Sequence, residues 1–113
     1  MKSFNVNVLG TPYLCMVGKR EELKDLDNDL QGCCRNYTKE ILICDEFDGA
    51  SKAEYSVALE EVVTHELSHA FLYESGMVSY SSDERLVEWL SINVSKLLRC
   101  SKIFIETLGL TDE

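Results

Sequence analysis

Apolar and polar positions along this chain follow two periods, and the switch between them divides the molecule. Near the start the period is two. Phe4, Val6 and Val8 alternate with Asn5 and Asn7, which predicts a half-buried strand over Phe4–Leu9. Gly10-Thr11-Pro12 punctuates it, and Tyr13–Val17 is a second short strand ending at Gly18. Lys19–Leu30 is highly charged, with Leu23, Leu26 and Leu30 at helical spacing, and reads as a loop with a helical turn. Gly32 turns the chain into a β-rich stretch in which Tyr37–Cys44 is the strongest strand. That strand is either the sheet edge beside a cleft, where an extended peptide would pair, or an ordinary internal strand.

Beyond Gly49 the period lengthens. Ser51-Lys52-Ala53-Glu54 is a capping box, in which the Ser hydroxyl serves a free N–H and the Glu reaches back. It opens a helix from about Lys52 to Tyr73, with Leu59, Val62, Val63, Leu67, Ala70 and Phe71 as apolar contacts and Gly76 as its stop. Ser81-Ser82-Asp83-Glu84 starts a second helix reaching about Leu98, built on Leu86, Val87, Leu90, Val94, Leu97 and Leu98. Trp89 on it reads as a core anchor, and Ser101–Leu108 as a last short helix before Gly109. The expected class is α+β: one domain over residues 1–113, with a small, mostly antiparallel N-terminal sheet packed on two helices.

Composition narrows the function. Forty-five per cent of the 113 residues are apolar and only one is Pro, enough for a packed core. A net charge of −9 repels phosphate backbones and argues against nucleic-acid partners. No apolar run approaches the roughly 20 residues of a membrane span, and the start lacks the apolar core of a signal peptide. These features predict a soluble, cytoplasmic protein with no membrane partner. Five cysteines without a C-x-x-C pair read as reduced thiols.

The second period also carries the chemistry. His65-Glu66-Leu67-Ser68-His69 is an H-E-x-x-H pentapeptide holding both histidines of the chain. Four residues apart on a helix, the imidazoles share one face and can grip one metal ion, while Glu66 stands beside its water as a base. A catalytic zinc takes three protein ligands, and with no third histidine the last must be a carboxylate or a thiolate. The places where a metzincin would carry Gly and His hold Leu72 and Ser75. Asp83, Glu84 and Glu88 on the following helix are the candidates. Glu88 is preferred as third ligand, with Glu84, one turn earlier on the same face, as the alternative. Tyr80, between the two helices, is the candidate donor to a developing oxyanion, with Tyr73 a lesser one. Ser91 and Asn93 are candidate partners that orient ligands.

The sequence Val-Val-Thr-His-Glu-Leu-Ser-His-Ala-Phe-Leu-Tyr-Glu-Ser-Gly from Val62, with Asp-Glu-Arg-Leu-Val-Glu-Trp-Leu-Ser from Asp83, resembles small phage-type zinc metallopeptidases of the ImmA/IrrE-like kind. The resemblance covers about a third of the chain. Where those enzymes carry a Glu-Ala-Asn-x-Phe-Ala type sequence, this chain has Glu88-Trp89-Leu90-Ser91-Ile92-Asn93. It implies a minimal zincin-like gluzincin fold, Zn2+ held by His65, His69 and Glu88, Glu66 as the base, and a protein or peptide substrate. The rival readings are a non-catalytic phage accessory or regulatory protein with a vestigial or structural metal site, and a coincidental pentapeptide.

Overall fold

The computed structural model describes residues 1–110. Four strands, β1 (Lys2–Val8), β2 (Thr11–Gly18), β3 (Gly32–Arg35) and β4 (Glu40–Cys44), precede three helices, α1 (Lys52–Glu74), α2 (Val78–Ser81) and α3 (Glu84–Thr107). The class is α+β. The strands form one mixed sheet in the order β1-β2-β4-β3, in which β2 and β4 run parallel while the two outer pairs are antiparallel.

One face of the sheet packs on α1. Val8, Tyr13, Cys15, Ile41 and Ile43 meet Ala70, with Leu59, Val62, Val63 and Leu67 around them. The other face is covered by the charged loop, which folds around a single 3-10 turn (Arg20–Glu22) and buries Leu23 and Leu26 against Leu42 and Cys44. Leu23 and Leu26 are therefore the lid of a second small core, while Leu30 is exposed at the cleft. Strand β4 is buried on both faces, which is what the unbroken run Ile41-Leu42-Ile43-Cys44 provides.

This corrects one expectation and decides between two alternatives. The segment Tyr37–Cys44 is not one strand: residues 36–39 turn, with Lys39 at φ 60, and join β3 to β4 as a hairpin. Nor is it an edge, because β4 lies between β2 and β3. The edge strand on that side is β3.

The helix ends follow their caps. Ser51 and Glu54 form the capping box of α1. At its other end Gly76 takes φ 88, and the N–H groups of Gly76 and Met77 donate to Tyr73 and Leu72, an ending that favours a residue without Cβ. Asp83 caps α3 by accepting from the N–H groups of Arg85 and Leu86. The separate C-terminal helix does not exist: α3 continues unbroken to Thr107, as no Gly or Pro intervenes. Trp89 is no core anchor. It points away from α1 and is 61% exposed.

Helices α1 and α3 run antiparallel, as three contacts show: His69 meets Glu84, His65 meets Glu88, and Glu60 meets Arg99. This places the first turns of α3 over the middle of α1. No described helix is long and apolar enough to cross a membrane.

Candidate metal centre

Both histidines sit on the face of α1 turned toward α3, their ring centroids 5.1 Å apart. They open onto a cleft of about 560 Å³ whose floor is α1 and whose walls are α3 and the edge strand β3. Glu84 bridges them. One of its carboxylate oxygens lies 3.1 Å from His69 Nε2 and the other 3.3 Å from His65 Nε2. His65, His69 and Glu84 each offer a ligand atom, all within 4.8 Å of one another. Glu88 stands one turn further along α3, with an oxygen 3.3 Å from the other nitrogen of His65, Nδ1. The carboxylate within reach of both imidazoles is thus Glu84, and Glu88 touches His65 alone.

The remaining ring nitrogens are held from behind. His69 Nδ1 bonds the backbone carbonyl of Ser81, and Ser81 Oγ donates back to the carbonyl of His69 at 2.9 Å. A carbonyl only accepts, so Nδ1 of His69 carries a proton, and in the neutral ring Nε2 presents its lone pair to Glu84. Two acceptors then face each other at 3.1 Å. Such a pair is stable when a proton or a cation lies between them. Glu88 lies against His65 Nδ1 at 3.3 Å as a charge contact, with the Nε2 of that ring toward Glu84. Neighbouring ligands of a tetrahedral zinc lie about 3.3 Å apart for bonds near 2.0–2.1 Å. Two imidazoles and a carboxylate whose ligand atoms lie within 4.8 Å of one another, with the His69 ring held from behind by the Ser81 carbonyl, are a donor set that fits one divalent cation.

Glu66 occupies the cleft floor and is 7% exposed. Gly32 of β3 packs tightly against it: a Cβ there would lie 3.0 Å from Val62 Cγ1 and 3.1 Å from both Glu66 Cγ and the Leu42 carbonyl oxygen. A side chain there would need these neighbours to give by a few tenths of an ångström. Burial pushes the Glu66 carboxyl up to about 7, with His65 pulling it partly back and Glu84 adding to the rise. Cys33 and Cys34 line the same wall. Burial, reinforced by the Glu66 charge, raises the Cys34 thiol to about 12 and keeps it neutral.

Other expected residues fall elsewhere. Tyr80 lies on α2, 49% exposed, and does not line the cleft. Tyr73 stacks edge-on with Tyr37 at the far end of α1. Ser91 is buried and lines the cleft, but its hydroxyl donates to the Glu88 carbonyl within its own helix. Asn93 bonds the Trp89 carbonyl. Sequence reasoning missed Ser81 and Gly32. Ser81 reads from sequence only as part of a helix cap, since a ring-orienting backbone carbonyl has no side-chain signature. Comparison with protein-family models, curated proteins and solved structures finds no match to this chain.

Proposed function

We propose that this chain is a zinc-dependent peptidase of the zincin-like, ImmA/IrrE-like kind, cleaving a peptide bond in a protein or peptide substrate. The reading rests on one observation above all: two imidazoles four residues apart and a glutamate from the next helix converge beside a buried carboxylate, in a cleft open to a ligand.

His65, His69 and Glu84 would hold the ion, in place of the His65, His69 and Glu88 set expected from sequence. Glu88 and the Ser81 carbonyl would orient the two rings. Two imidazoles and a carboxylate suit zinc, and accept other first-row divalent ions. A bound zinc would supply Lewis acidity toward water and the scissile carbonyl. Glu66 accepts the proton of the attacking water and returns it to the leaving amine. A carboxyl raised toward neutrality by burial is suited to both transfers. The edge strand β3 pairs only with β4 among the described residues, so its outer row of backbone groups is open to an extended substrate alongside the cleft.

The test compares wild type with Glu66→Gln, both zinc-loaded, on a diverse peptide mixture read by mass spectrometry. The proposal expects cleavage by wild type, a loss of about 10²–10⁴-fold in the variant, and unchanged zinc content. Equal cleavage by both, or none by zinc-loaded wild type, would favour a non-catalytic metal-binding protein.

A further inference from the structure

Helix α3 carries an apolar stripe that its own chain covers only in part. Val87, Leu90, Val94, Leu97, Ser101, Phe104 and Leu108 alternate at spacings of three and four, the seam of a heptad repeat. Val87 is fully buried, and Leu90 and Val94 are half-buried over α1. From Lys96 to Leu110 every residue is exposed, and the seam continues into solvent with Leu97 at 68%, Phe104 at 70% and Leu108 at 66%. Beside its first part runs a groove of about 520 Å³ between α1 and α3, lined by Leu67, Phe71, Leu72, Leu90, Val94 and Leu98. The radius of gyration, 15.3 Å, exceeds the about 13 Å usual for this length, as a projecting helix requires.

We propose that this face joins two copies of the chain, their α3 helices packed antiparallel about a two-fold axis near Arg99. Three features favour a second copy as the occupant. The first is self-complementarity. Antiparallel pairing about that point sets Leu90 against Leu108 of the second copy, Val94 against its Phe104 and Leu97 against its Ser101. Each projecting side chain then enters the other copy's groove, as a two-fold interface requires. The second is charge. In a chain of net charge −9, the positions flanking the seam (Ser91, Asn93, Leu98, Cys100, Ile105, Thr107) carry none. Lys96, Arg99, Lys102 and Glu106 all lie away from the seam, Arg99 turned to Glu60 of α1. The third is area. Leu97, Leu98, Phe104, Ile105 and Leu108, with Phe71 and Leu9 at the groove, present roughly 600–800 Å² of surface, against about 800 Å² per partner in a stable interface. The metal centre faces the other side of the α1–α3 pair, so the inference stands apart from the peptidase reading.

The pairing brings Cys100, an exposed cysteine, beside its counterpart across the axis. Sedimentation equilibrium of the full chain at micromolar concentration is expected to give twice the 12.8 kDa chain mass. Phe104→Glu is expected to weaken association at least tenfold with the fold retained by circular dichroism, because this side chain lies outside the core. A short bis-maleimide is expected to link wild type into a dimer through Cys100 and to fail on Cys100→Ser. Adding Leu108→Cys to Cys100→Ser does not restore the link, since the two-fold sets those positions about 27 Å apart. A monomeric wild type overturns the proposal and leaves the stripe to another protein or a lipid surface. So does a dimer indifferent to Phe104→Glu, and so does linking through residue 108, which would mean parallel helices.

Discussion

Two glutamates eight residues apart on α1 are driven in opposite directions by their surroundings. Glu74 receives hydrogen bonds from Tyr13 Oη and Lys39 Nζ, both at 2.6 Å, and from Thr11 Oγ1 at 3.0 Å. These donors, Lys39 first and Tyr13 next, hold its carboxyl below the usual range. Glu66 is buried with no such donors, and its carboxyl is held well above that range. The same residue type on one helix is a clamp between helix and sheet in one place and a buried carboxyl raised toward neutrality in the other. Three donors fix a charge where it is permanent, whereas withholding them leaves a group ready to change its protonation.

The largest effect that sharpens this contrast is in metal affinity. Glu84→Gln is expected to weaken zinc binding more than 100-fold, while Glu88→Gln, which removes only the support of His65, costs about 10-fold. Chelator competition checks both, and the reverse order would restore Glu88 as the ligand. Next comes pH. Because Glu66 has a raised carboxyl in the fold, the folded state holds its proton to higher pH than the unfolded chain. Metal-free wild type therefore loses stability as pH rises from about 4.5 to 7. Metal-free Glu66→Gln should lack that loss and be more stable at pH 7.5 by on the order of 2–3 kcal/mol, converging with wild type near pH 4. Denaturant titrations at the two pH values measure the difference. Glu74 has the opposite sign: its lowered carboxyl stabilises the fold above the unfolded value, and that share fades as pH falls through the folded one. Tyr13→Phe, which removes one donor from Glu74, should cost about 1.5 kcal/mol in the same titrations and leave zinc affinity unchanged. Smallest of all is Tyr80→Phe. With its hydroxyl outside the cleft, turnover of a cleaved peptide should change less than about threefold, under about 0.7 kcal/mol.

How much of this was legible in the sequence depends on whether the signal was local. The capping box at Ser51 and Glu54, the stop at Gly76 and the H-E-x-x-H spacing are properties of a few adjacent residues, and each lies where its pattern puts it. The choice between Glu84 and Glu88 was not local. Both occupy one face of α3, and only the alignment of the two helices, fixed partly by Ser81 docking on His69, decides which reaches both rings. The hairpin at residues 36–39 was hidden because Tyr37 and Thr38 favour strands and no Gly or Pro marks the turn. Of the two readings open for β4, edge or internal strand, the internal one holds, and four consecutive apolar residues suit a strand covered on both faces. Trp89 falls about 160° around α3 from Val87 and Ser91, the buried residues of that helix, so its exposure was implicit in the helical period.

The central claim is that His65, His69 and Glu84 hold a single divalent ion beside Glu66. Anomalous diffraction from a zinc-loaded crystal tests it most directly. The account predicts one strong peak bonded to Nε2 of His65, Nε2 of His69 and the carboxylate of Glu84, with Glu88 on Nδ1 of His65. A peak bound through Glu88 in place of Glu84, or no peak between the two imidazoles, would contradict it.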